Sequence, residues 1–260
     1  MPNNLTYIRE LLQRHQVETA EGLVDKPPSQ LLRGEGTEKN FYIMKIDLVG
    51  STALLLGRKK STYLKLAHTF LSTVDKITQD YGADPNQVEY AGDSVLAYFA
   101  ENKATAEDII TTACYSRAAV QQFKNLEGVL STLQLKCKVV LHFDTLVVAK
   151  IGPRANSILS AIGHPIHRVA KIEKEITADT GRTTEKFFQQ VRNENRKFLC
   201  PVYKEIQVPE TEPIHPAVNS LASSLYPVQQ SILRPQLRVE RTLVGYDLRW
   251  NMLFRALDLV

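Results

Sequence analysis

Residues 40–57 read NFYIMKIDLVGSTALLLG. An apolar run from Phe41 to Ile46 delivers a lone acid, Asp47, and three residues later breaks at Gly50-Ser51-Thr52. The aromatic and β-branched residues predict a strand over 41–47. The break predicts a helix start, with Ser51 and Thr52 as capping hydroxyls and Gly50 leaving the main chain open to a close-approaching group. A single carboxylate at a strand tip is ordinarily a turn or helix cap, so Asp47 acquires meaning only from a second group near it.

That group lies downstream. Residues 87–100, QVEYAGDSVLAYFA, read as two short strands around a tight turn at Ala91-Gly92-Asp93. Between the two blocks, residues 61–82 carry apolar side chains at spacings of three and four and stop at Gly82, which predicts a helix. A second helix is expected over 105–126, with Thr105 and the pair Glu107-Asp108 at its electropositive start. Residues 133–152 predict two strands bending near Asp144-Thr145, and residues 164–176 a third helix. The order β-α-β-β-α-β predicts an α+β protein with a ferredoxin-like core, helices covering one face of an antiparallel sheet.

The core is expected over 39–178. Residues 1–38 hold an amphipathic helix marked by Leu5, Ile8, Leu11 and Leu12, then a linker rich in proline, glycine and charge. Residues 179–260 read as an extension of the same domain: a short helix over 179–197, a strand over 198–208, a proline-punctuated loop over 209–235, then a strand and a helix.

Composition narrows the class. At 43% hydrophobic and 23% charged residues, the 260-residue chain resembles an ordinary globular protein. A net charge of +4 suits an anionic ligand but is too small to argue for nucleic acid, and no basic–aromatic interleaving surrounds Trp250 or the tyrosines. No apolar run reaches the roughly 18 residues of a membrane span, and the N-terminus shows no secretion signal, so a cytoplasmic protein is expected. Cys114, Cys137 and Cys200 are far apart and suit reduced thiols.

In a ferredoxin-like sheet the first strand and the hairpin are neighbours, so Asp47 and Asp93 are expected to converge. Two converging carboxylates make a hard-oxygen site for Mg²⁺ or Mn²⁺, completed by water and phosphate oxygens. Two such ions activate a hydroxyl and neutralise a leaving pyrophosphate. Lys45, two residues before Asp47 and so on its strand face, contacts phosphate or pairs with an acid; both readings stay open. Arg58-Lys59-Lys60 reads as a solvated basic face, and His142 with Asp144, alternating on one strand, as a structural pair.

The blocks YIMKIDLVGSTALL, VEYAGDSVLAYF, KVVLHFDTLVVAKIG and IGHPIHRVAKIEKEI, in that order over residues 40–175, resemble the catalytic domain of class III nucleotidyl cyclases. The resemblance implies Asp47 and Asp93 as ligands of two Mn²⁺ or Mg²⁺ ions, with the Leu48 carbonyl as a further ligand. It implies that the backbone at Gly50, Ser51 and Thr52 holds a triphosphate, and that the ribose 3′-hydroxyl attacks its own α-phosphate. It also implies a head-to-tail homodimer with composite sites.

The departures are specific. Where the family presents an asparagine and, four residues on, an arginine, this chain has His167 and Lys171, with Arg168 adjacent. Lysine supplies charge without the planar fork of arginine. The base-reading positions fall at Glu89, as in guanylate cyclases, and at Ser160. These changes resemble the bacterial pyrimidine cyclases of anti-phage defence, which implies UTP as substrate, cyclic UMP as product and a separate effector not physically bound. Conversion of CTP or GTP, or a non-catalytic nucleotide-binding module, are the alternatives. A palm-type polymerase shares the element order and paired acids, but the chain leaves little room for a template.

Overall fold

The computed structural model describes residues 4–18, 22–51, 59–126, 128–153, 155–209 and 237–259. Its centre is strand β1, Gly36–Val49. Tyr42, Met44, Ile46 and Leu48 on one side of β1 and Phe41 and Ile43 on the other are all buried. Both faces of this strand are therefore covered, which explains why it reads as a continuous apolar run rather than an alternating one.

Strands β2, Val88–Ala91, and β3, Ser94–Ala100, form the expected hairpin. Gly92 opens its turn at φ +66°, a conformation that costs a residue with a Cβ. Strand β4, Lys136–Ile151, and β3 flank β1 antiparallel, giving the order β2-β3-β1-β4 of the ferredoxin-like core.

Helix α1 spans Asn4–Glu18, with Leu5, Ile8 and Leu12 exposed. Helix α2, Lys60–Asp80, sets Leu66, Phe70 and Val74 against the Met44 side of the sheet. Helix α3, Ala106–Gln122, adds Ile109, Ile110 and Ala113 to that core and begins with a reciprocal capping box between Thr105 and Asp108.

Helix α4, His164–Glu175, corrects the one-faced expectation. It packs Val169 against Phe41, Ile43, Tyr98 and Val140 on the opposite side. The second expectation corrected is the bend at Asp144-Thr145, because β4 runs straight through it. Its first half pairs with β1 and with β6, Gly181–Thr183; its second half pairs with β1 and with β5, Ile158–Ile162. Pairing with β1 continues unbroken from Lys136 to Ala149, so the strand passes through Asp144-Thr145 while its other edge changes partner from β6 to β5. Asp144 instead accepts from the Thr145 N–H and from Lys186.

Helix α5 is Glu185–Gln190. Strands β7, Leu199–Pro209, and β8, Leu237–Leu248, are neighbours, and helix α6, Trp250–Ala256, closes the chain. Residues 1–200 and 246–260 form one compact unit and residues 201–245 another. Within the smaller unit Arg241 and Glu205 pair at 3.3 Å. In the larger, Trp250 donates from Nε1 to the Asp179 carbonyl at 2.8 Å, and its ring lies 2.3 Å from where a Cβ on Gly181 would stand. Only glycine fits beneath that indole.

Candidate functional site

The pairing register decides what meets at the end of β1. Asp47 stands opposite Ser94 of β3, the residue after Asp93, and opposite Lys138 of β4. Asp47 and Asp93 thus share one end of the sheet, as the spacing required. Burial pushes the Asp47 carboxyl up to about 6, the charges of Asp93 and Glu173 add to it, and Lys45 and Lys138 only partly offset them. Excess negative charge of this kind is what a divalent cation relieves. Among the described residues no three His, Cys, Asp or Glu side chains gather into a metal-binding cluster. Asp47, Asp93 and the nearby main chain are the donors a cation would find here, a set that fits a hard ion keeping water and substrate oxygens as ligands.

Two neighbours of Asp47 escaped the sequence reading. Glu173, buried on α4, lies 3.3 Å from Lys45 Nζ and 3.6 Å from Lys138 Nζ, and Lys138 Nζ also donates to the Glu173 carbonyl at 3.1 Å. Lys45, left open between phosphate and acid, has an acid partner. The signal for Glu173 was present: it falls four residues after Val169 on the apolar stripe of α4. Lys138 had no comparable signal, because only the register brings it opposite Asp47.

Gly50 has φ +80° with open space where a Cβ would be, so the main chain after Asp47 is bare. Leu48 buries its side chain and Ser51 is buried. Thr52 and Arg58 lie outside the described residues. Lys59 and Lys60 are exposed, in keeping with a solvated face.

His167, Arg168 and Lys171 are exposed on α4, whereas Val169 and Glu173 are buried. The charges that act on Asp47 are those of Asp93, Glu173, Lys45 and Lys138, and these three cations are not among them. The helix whose Glu173 pairs with Lys45 and Lys138 leaves its cationic row exposed.

Glu89 projects from β2. Its Oε1 accepts from the Tyr98 hydroxyl at 3.3 Å and from the Ala161 N–H of β5 at 2.9 Å. Ser160 is half-buried, and alternation places it on the side of β5 shared by the exposed Ile158 and Ile162 rather than with Leu159 and Ala161, which pack on the core. The neighbouring amide, not the Ser160 hydroxyl, meets Glu89.

His142 is fully buried. Its Nδ1 lies 2.7 Å from Thr184 Oγ1, and its Nε2 lies 3.3 Å from Asp144 Oδ2 without the alignment of a hydrogen bond. Burial lowers its pKa to about 4; Asp144 works against this, while Arg168 and Lys186 reinforce it. The structural reading of this pair fits a site sealed from substrate. A lowered folded pKa means that between about 6.5 and 4 the unfolded chain binds a proton that the folded chain refuses. This residue's contribution to stability should therefore be absent above neutrality and turn increasingly unfavourable as pH falls through that window. Urea midpoints at pH 7.5 and 5 should differ less in a His142→Gln variant than in the wild type; equal differences would exclude His142 as the titrating group.

No model of a known protein family matches the chain. It is 24% identical over 167 residues to the uncharacterized proteins Rv1318c of Mycobacterium tuberculosis and Mb1352c of Mycobacterium bovis, covering 64% of this chain and 29% of each relative. The chain thus spans less than a third of the curated relatives it matches. Among solved structures, the guanylyl cyclase Cya2 superposes with a TM-score of 0.58 at 13% identity, covering 82% of this chain and 93% of that one. The adenylyl cyclase CyaB from P. aeruginosa superposes with a TM-score of 0.57 at 15% identity, covering 82% and 95%. The chain has the fold of class III adenylyl and guanylyl cyclase catalytic domains.

Proposed function

We propose that this protein is a metal-dependent nucleotidyl cyclase that converts UTP to cyclic UMP and pyrophosphate, as a source of second messenger in antiviral defence. The observation that carries the reading is the meeting of Asp47 and Asp93 at the end of β1, beside a bare main chain at Gly50 and a lysine opposite. The ribose 3′-hydroxyl gives its proton to water as its oxygen bonds to the α-phosphorus, the bond from that phosphorus to the bridging oxygen breaks, and pyrophosphate leaves with the electron pair of that bond.

Asp47, Asp93 and the Leu48 carbonyl would hold Mg²⁺ or Mn²⁺. Bound there, such ions lower the pKa of the attacking hydroxyl and offset charge on the triphosphate. Main-chain N–H groups at Gly50 and Ser51 meet phosphate oxygens. Lys171, with Arg168 beside it, faces the charge that develops on the α-phosphate, and His167 orients the ribose by a hydrogen bond.

His167, Arg168 and Lys171 are exposed and are not among the charges acting on Asp47, which supports a homodimer in which each site takes acids from one copy and these cations from the other. The effector is a separate protein reached by the diffusing product, and the enzyme is cytoplasmic. Among the described residues no helix is long and apolar enough to cross a membrane. The test is incubation of purified protein with each of the four ribonucleoside triphosphates and Mn²⁺, with chromatographic separation of products. Cyclic UMP and pyrophosphate should accumulate together; no cyclic product from any triphosphate would overturn the reading.

A further inference from the structure

We infer that Glu89 and Lys150 act together as a base reader that admits an edge with one N–H donor beside a carbonyl, the uracil edge, and disfavours guanine. The inference rests on the proposed function and names the substrate's base. An open cleft of about 530 Å³ lies between the start of β2 and the edge of β5, lined by Asn86, Glu89, Lys150, Ile158 and Leu159. It holds one carboxylate and one ammonium that do not pair with each other. Lys150 uses its main-chain N–H and carbonyl to bind Glu35 and Gly34, and its ammonium has no ion pair among the described residues.

The state of Glu89 decides the pattern. A carboxylate oxygen accepts about two hydrogen bonds. Both lone pairs of Oε1 are taken, one by the Tyr98 hydroxyl and one by the Ala161 N–H. Tyr98 is fully buried, so that bond is fixed from the core side of the sheet. Only Oε2 is left for a ligand. Guanine presents two adjacent donors and is satisfied by both oxygens of a carboxylate at once; here the second donor would go unmet at a cost. Uracil presents a single N–H flanked by carbonyls. Oε2 takes the N–H, and the Lys150 ammonium donates to a neighbouring carbonyl. Tyr98 is a positioning residue: it touches no ligand and sets which Glu89 oxygen is free.

The test reads binding apart from turnover. Dissociation constants for 3′-deoxy-UTP and 3′-deoxy-GTP, which lack the attacking hydroxyl, are measured by calorimetry with Mn²⁺ on the full chain. The uracil analogue should bind at least about tenfold more tightly than the guanine analogue, the scale of one charge-assisted hydrogen bond. Lys150→Ala should weaken the uracil analogue about tenfold or more, and Lys150→Arg should restore most of it. Tyr98→Phe, which frees a lone pair on Oε1, should narrow the gap between the two analogues, an effect that general loosening of the core would not produce.

Tighter binding of the guanine analogue by the wild type, or an unchanged uracil affinity in Lys150→Ala, would overturn the inference. Turnover of UTP on the same preparations judges the proposed function separately. A protein that binds the uracil analogue as described yet makes no cyclic product would fail that function and keep the base reader.

Discussion

Asp47→Ala and Asp93→Ala proteins should each lose cyclic-nucleotide formation by about 10³ or more, beyond the 10²–10³ typical for loss of one oxyanion donor. In the proposed mechanism the two acids act as one unit. Asp47 is held near 6 by burial and by like charge from Asp93 and Glu173. Removing either carboxylate leaves a site that no longer balances a divalent ion. Because Asp47 lies at the end of the β1–β3 ladder, opposite Ser94, its replacement should leave the fold and the proposed dimer intact. Far-ultraviolet circular dichroism and sedimentation should match the wild type while the initial rate collapses. Near-normal turnover in either variant would remove these acids from the chemistry.

Lys171→Ala should lower kcat by about 10²–10³ with KM little changed, since in the proposed mechanism its charge meets the α-phosphate chiefly as negative charge develops there. Its exposure on α4 adds a sharper test. If each site draws its acids from one copy and its cation from the other, two inactive variants should rescue each other. After unfolding and refolding together, equal amounts of Asp47→Ala and Lys171→Ala chains should give half heterodimers. Each heterodimer carries one intact site and one doubly damaged site, so about a quarter of wild-type activity should return. A mixture that stays at the level of the separate variants would place acids and lysine in the same chain's site. Retention of kcat in Lys171→Ala would shift the role to Arg168.

The sequence was most informative where local pattern and tertiary environment agree. The hairpin from Val88 to Ala100 was legible because Gly92 marks its turn. Helices α2 and α3 were legible because their apolar residues keep one period along the whole element, and α3 carries its own cap at Thr105. Asp47 and Asp93 followed from topology, since order alone makes the first strand a neighbour of the hairpin.

What stayed hidden depends on register and on contacts between elements. The unbroken course of β4 through Asp144-Thr145 follows from its pairing with β1 along Lys136–Ala149, and residues 158–162 become a strand only by pairing with β4. The Lys45–Glu173–Lys138 group joins three elements, and no single stretch records it. Coverage of both sheet faces was written in β1, where Phe41 and Ile43 are as apolar as Tyr42 and Met44, yet a continuous apolar strand does not say which helix covers which side.

Manganese binding addresses the paired carboxylates without depending on turnover. Electron paramagnetic resonance of free Mn²⁺, titrated into wild-type, Asp47→Asn and Asp93→Asn proteins with 3′-deoxy-UTP, counts the ions held and their affinity. The wild type should immobilise two ions per chain, and each variant should lose tight binding of both. Equal numbers of ions held at equal affinity in all three proteins would contradict a metal site built on Asp47 and Asp93.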